Sequence, residues 1–144
     1  MTWKFFALFN LSVPLILLLA GSPTAHARVQ PVFNTEIDVP CKMSLEKIKR
    51  TIRGSLRVQG GSYFGQWLSK DKKPGLIEAT LFVRRHVLVL DLIYNAKEVK
   101  VRYKSSQNLK HKKRGDKDLI HPNANKWIRN LVIDVSLGLS NECV

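Results

Sequence analysis

Two rhythms of apolar residues divide this chain. Leu45, Ile48, Ile52 and Leu56 recur three or four residues apart, and so do Ala124, Trp127, Ile128, Leu131 and Val135. At about 100° per residue each set falls on one side of a helix, so the spacing predicts an amphipathic helix near either end of the domain. Ser44 stands where an N-cap side chain would accept a backbone N–H, and Glu46 lies in the first turn, where its charge complements the helix dipole. Lys47, Arg50, Arg53 and Arg57 share the opposite, polar side of this helix, and Gly60-Gly61 is expected to end it. Pro122 suits the start of the second helix, because the N–H it lacks would be unpaired there in any case.

Between the helices the period changes to two. Residues 62–69 form a short aromatic strand candidate, and Asp71-Lys72-Lys73-Pro74-Gly75 reads as a turn, since proline presets φ and glycine accepts a positive one. In residues 76–84 Ile77, Ala79, Leu81 and Val83 share a face; residues 86–94 are apolar on both parities, as in a central strand; in 99–104 Val99, Val101 and Tyr103 alternate with Lys100, Arg102 and Lys104. These strands form a meander, with turns at Asn95 to Glu98 and around Arg84-Arg85-His86. Residues 105–118 read as a polar loop carrying the cationic run Lys110-His111-Lys112-Lys113-Arg114. The expected fold is α+β: a helix, an antiparallel meander of three or four strands and a C-terminal helix, with both helices on the Ile77/Leu81/Val83 and Val99/Val101/Tyr103 face. The opposite face would then gather Thr80, Phe82, Arg84, Lys100, Arg102 and Lys104.

The ends of the chain set its address. Lys4, the apolar run from Phe5 to Ala20 and the small residues of Ala25-His26-Ala27 read as an export signal cleaved after Ala27. The run is short for a membrane span of about 20 residues, and Gly21 and Pro23 follow it directly. Leu19-Ala20-Gly21-Ser22 has the form of a lipoprotein box with serine where the lipid-accepting cysteine would stand, so no lipid anchor is expected. The expected organisation is a signal (1–27), an extended arm (28–43) and one α+β domain (44–144), in the periplasm or secreted. Export permits a disulfide, and Cys41 and Cys143 lie near the two ends of the mature chain. An intrachain bridge closing about 100 residues would stabilise by around 4 kcal/mol in the chain-entropy model, although sequence alone leaves an intermolecular pair and two free thiols open. No CxxC or HxxxH pairing points to zinc.

Charge is the feature with most bearing on function. Residues 28–144 hold 23 Lys+Arg against 11 Asp+Glu, a net +12. Such an excess attracts polyanions, lipid head groups and acidic proteins without choosing among them, and it permits peripheral contact with a membrane surface. Phe82 among Arg84, Lys100, Arg102 and Lys104 is one candidate ligand-binding platform, because a ring stacks on bases or sugars while cations hold phosphate. Lys110, Lys112 and Lys113 are another. The remaining class is a protein-interaction module, an accessory or an inhibitor of an acidic partner, for which Phe82, Trp67 and Tyr63 would supply apolar contact. Catalysis is a minor reading: His86, His121 and His111 with a lysine could cleave RNA by acid–base chemistry. No nucleophile elbow, phosphate loop, paired metal ligands or carboxylate dyad accompanies them, and neither cofactor nor metal is expected. Asp91 stands isolated in an otherwise apolar strand.

Tyr103-x-x-Ser106-x-x-Leu109 followed by Ile120-His121-x-x-x-Asn125-x-Trp127-Ile128 resembles a pattern shared by a family of small exported bacterial proteins, many of them lipoproteins. The likeness runs in general form from Met43 to Leu139. Ser22 in place of the lipidated cysteine and Ala124 in place of an aromatic residue depart from it. The resemblance implies a bacterial envelope address and carries no established activity.

Overall fold

The computed structural model describes residues 28–58 and 66–143. The expected signal, Gly60-Gly61 and residues 62–65 of the first strand candidate lie outside the described residues. In chain order the elements are β1 (Gln30–Pro31), β2 (Thr35–Asp38), α1 (Leu45–Val58), β3 (Gln66–Lys73), β4 (Leu76–Val83), β5 (His86–Tyr94), β6 (Glu98–Gln107), β7 (Lys112–Arg114), β8 (Lys117–Ile120) and α2 (Pro122–Asn141). The class is α+β. An antiparallel five-stranded sheet runs β2-β6-β5-β4-β3, and a smaller antiparallel sheet runs β1-β8-β7.

Local chemistry accounts for the boundaries. Ser44 Oγ accepts from Lys47 N at 3.2 Å and so caps α1. Ile48, Ile52 and Leu56 are buried along the helix, whereas Leu45, on the same stripe, remains exposed in the first turn. In the first hairpin Lys73 pairs with Leu76, so the turn contracts to Pro74-Gly75, with Gly75 at φ +79°. The next hairpin turns on Arg84-Arg85 between the paired Val83 and His86, with Arg84 at φ +54°. Asn95 Oδ1 accepts from Lys97 N at 2.7 Å and Glu98 N at 3.0 Å, closing the third turn.

The inner face of the large sheet presents Ile77, Ala79 and Leu81, then Leu88, Leu90 and Leu92, then Val99 and Val101, all buried with the apolar sides of the two helices. The helices meet at small residues: a Cβ on Gly138 would lie 3.0 Å from both Ser55 Oγ and Thr51 Cγ2. Ser55 Oγ donates across this contact to Asp134 O at 3.1 Å.

Two stretches carry more structure than their patterns suggested. Residues 28–43 supply β1 and β2, which pair with β8 and β6. The expected polar loop at 105–118 is the end of β6 and the β7–β8 hairpin, with Lys112 opposite Leu119, Arg114 opposite Lys117 and Gly115 at φ +61° in the turn. Every side chain of β7 is exposed, so no apolar alternation marked it. Cys41 and Cys143 form a disulfide with Cα atoms 5.8 Å apart, tying the segment before α1 to the end of α2. Among the described residues no helix is long and apolar enough to cross a membrane.

Candidate functional site

Antiparallel register decides what stands on the outer face of the large sheet. Phe82 is exposed there, opposite Gln66 and Val87, with Thr80 and the exposed Leu68 in the adjoining row. Lys100, Arg102 and Lys104 stand on the β6 part of the same face, but the neighbouring strands and Glu98 of β6 itself bring carboxylates to them. Arg102 donates to Glu36 Oε1 and, at 2.8 Å, to Thr35 O. Lys100 Nζ lies 3.0 Å from Glu98 Oε1 and 3.5 Å from Glu36 Oε1. A register shift between Val89 and Leu90 leaves Lys104 as the extra residue on β6, where it pairs with Glu78 and lies 3.5 Å from Asp91. Asp91, isolated in the sequence, therefore faces a cation.

The titration of these groups follows. The hydrogen bond from Arg102, with the Lys100 charge, lowers the pKa of Glu36, and the hydrogen bond from Lys104 lowers that of Glu78. The hydrogen bond to Glu98 raises Lys100, and that to Glu78 raises Lys104. The sheet cations thus sit in a lattice of both signs. Arg84, in the turn, lies outside that row.

The β7–β8 hairpin is different. Lys110, Lys112, Lys113, Arg114 and Lys117 are all exposed, and none has a carboxylate within salt-bridge reach among the described residues. Lys110 adopts φ +52° just before the strand. Of the two acids in the hairpin, Asp118 is occupied by His111, whose Nε2 lies 2.7 Å from Oδ1. The structure therefore separates the candidate cations into a neutralised row on the sheet and an unneutralised group on the hairpin.

The histidines hold loops and a helix end. His86 Nδ1 lies 2.8 Å from Asn108 O, and its ring stands 6.2 Å from that of Trp127. His121 caps α2, its Nδ1 accepting from Asn123 N at 3.2 Å, while its own N–H donates to Leu109 O at 2.9 Å. The His111 ring lies 5.1 Å from Tyr103.

The residues of the sequence resemblance meet at the joint between the two sheets and α2. Tyr103 and Ser106 share a hydrogen bond of 2.9 Å, and burial raises the Tyr103 pKa. Leu109 is buried. Asn125, 2% exposed, accepts from Phe33 N at 2.9 Å and donates to Pro31 O at 2.8 Å, clamping the N-terminal segment to α2. Arg129 on the same helix lies over the Phe33 ring at 4.7 Å. These positions are accounted for by architecture. No family model, curated protein or solved structure matches the chain.

Proposed function

We propose that this chain is a noncatalytic exported protein of the bacterial envelope that binds an anionic polymer, with the β7–β8 hairpin as its contact. The observation that carries the reading is the group of five exposed cations on and beside the hairpin, Lys110, Lys112, Lys113, Arg114 and Lys117, with no carboxylate partner among the described residues. Cations already paired in the protein must break those pairs to hold a ligand, whereas free ones offer their charge directly. The net +12 of residues 28–144 adds a long-range attraction, and the Cys41–Cys143 disulfide suits an oxidising compartment.

The test titrates the oxidised protein with an anionic polysaccharide, lipopolysaccharide, anionic vesicles and RNA at low and near-physiological salt. Two triple variants remove equal charge: Lys110→Gln/Lys112→Gln/Lys113→Gln on the hairpin and Lys100→Gln/Arg102→Gln/Lys104→Gln on the sheet. The hairpin triple weakens binding more and flattens its salt dependence by up to about three units of slope, since each phosphate or sulfate contact releases roughly one counterion. Equal losses would reduce the attraction to diffuse charge, and a larger loss from the sheet triple would move the contact to the sheet.

A further inference from the structure

A second cationic surface lies on α1, apart from both the hairpin and the paired row of the sheet. Gly54 stands on its exposed side, and a Cβ there would meet no atom within 4 Å. Packing therefore does not require the glycine, although glycine disfavours a helix interior relative to alanine. Beside it lies an open depression of about 610 Å³ bordered by Lys49, Arg50, Arg53 and Arg57, with Glu46 the carboxylate on its rim. Arg50 and Arg57 have no carboxylate partner among the described residues. Lys49 and Arg53 share one, Asp71, at 3.0 and 3.7 Å. Guanidinium groups around an open depression, with donors left over, match the several oxygens of a phosphate group.

Arg53 and Arg57 also border a second cavity, of about 660 Å³. Leu56, Trp67, Leu68 and Phe82 supply its apolar lining, Lys70 and Glu78 are among its polar residues, and Leu68 and Phe82, 53% and 47% exposed, stand in one hollow with Arg57, which has no carboxylate partner among the described residues. Its volume falls within the roughly 300–1,000 Å³ of small-molecule sites. Because the same two arginines border both cavities, a charged group held by them lies directly beside apolar surface.

We propose that the paired cavities bind an anionic amphiphile, with a phosphate head among Arg50, Arg53 and Arg57 and a single alkyl chain over Leu68 and Phe82. The site uses none of the hairpin residues, so it stands or falls independently of polyanion binding there. Charge complementarity selects the head and the exposed leucine and phenylalanine select the tail.

The test is calorimetry, with tryptophan fluorescence as a second readout, on the oxidised protein and dodecyl phosphate below its micellar concentration. Inorganic phosphate and dodecyl maltoside are the comparisons. Dodecyl phosphate binds at least tenfold more tightly than either. Gly54→Glu, which puts a carboxylate among the arginines at an unhindered helical position, weakens it tenfold or more without lowering the melting temperature. Lys113→Gln removes the same unit of charge and leaves the affinity within twofold. Equal affinity for dodecyl maltoside would remove the arginines from the site, and equal affinity for inorganic phosphate would remove the chain. Undiminished binding by Gly54→Glu, or an equal loss from Lys113→Gln, would overturn the location. Polysaccharide binding by Gly54→Glu stays within twofold of the parent, so failure of either reading is seen separately.

Discussion

Asn125 lets the architectural reading of the sequence motif be tested by a single atom. Its side-chain oxygen accepts from Phe33 N and its nitrogen donates to Pro31 O, while the residue itself is 2% exposed. Asn125→Ala leaves both backbone groups without their partner. Each orphaned group costs roughly 1–3 kcal/mol when water cannot reach it, and Pro31 and Phe33 are respectively exposed and half-buried, so the low end applies to each. The sum is about 2–3 kcal/mol, a fall in Tm of roughly 10 °C for a domain of this size. Asn125→Asp sharpens the test. An ionised carboxylate still accepts from Phe33 N but sets a negative oxygen against the Pro31 carbonyl, whereas the protonated acid donates to it. Folding therefore favours the protonated form and raises the folded pKa of this aspartate above its unfolded value. The stability of Asn125→Asp relative to the parent is highest below the unfolded pKa of about 4 and falls as pH rises toward the raised folded one. Thermal denaturation of the three proteins between about pH 3 and 7 reads this out. A pH-independent gap between Asn125→Asp and the parent, or an Asn125→Ala variant as stable as the parent, would refute the clamp.

Three further outcomes follow from the same geometry. Glu36 and Glu78 have lowered pKa values, so their contribution to stability is present above the usual carboxylate range and is lost as pH falls through the lowered folded values; carboxyl chemical shifts should show both titrating below free glutamate, and a normal value for either would dissolve its proposed pair. Gly138→Ala places a methyl group 3.0 Å from Ser55 Oγ and Thr51 Cγ2, so it should cost about 1–3 kcal/mol in urea unfolding despite the better helix propensity of alanine. The Cys41→Ser/Cys143→Ser pair opens a closure of 102 residues; a loss of up to about 4–5 kcal/mol is expected, with an undiminished unfolding midpoint counting against the bridge as a major constraint.

What could be read from the sequence was whatever burial imprints as a period. Ile77, Ala79 and Leu81 alternate because one face of β4 lies on the core, and Ile48, Ile52 and Leu56 step by a helical turn for the same reason. The β7 strand has no buried face, so Lys112, Lys113 and Arg114 gave no such imprint. The roles of the cations were hidden for a different reason. Whether a lysine is free depends on the residue across the strand from it, and that is a matter of register rather than local composition. Glu36 lies 66 residues from Arg102 and Glu78 lies 26 from Lys104, and the register shift at Val89/Leu90 decides which carboxylate Lys104 meets. The alternation of Lys100, Arg102 and Lys104 correctly marked an outward face while concealing that the face is balanced. Among the described residues, the cations left without a carboxylate partner include those of the β7–β8 hairpin and, on α1, Arg50 and Arg57, whereas Asp71 of β3 reaches Lys49 and Arg53. Ligand binding should therefore be sought on those two surfaces, where the hairpin cations, and Arg50 and Arg57 of α1, can meet an incoming anion without first giving up a partner among the described residues.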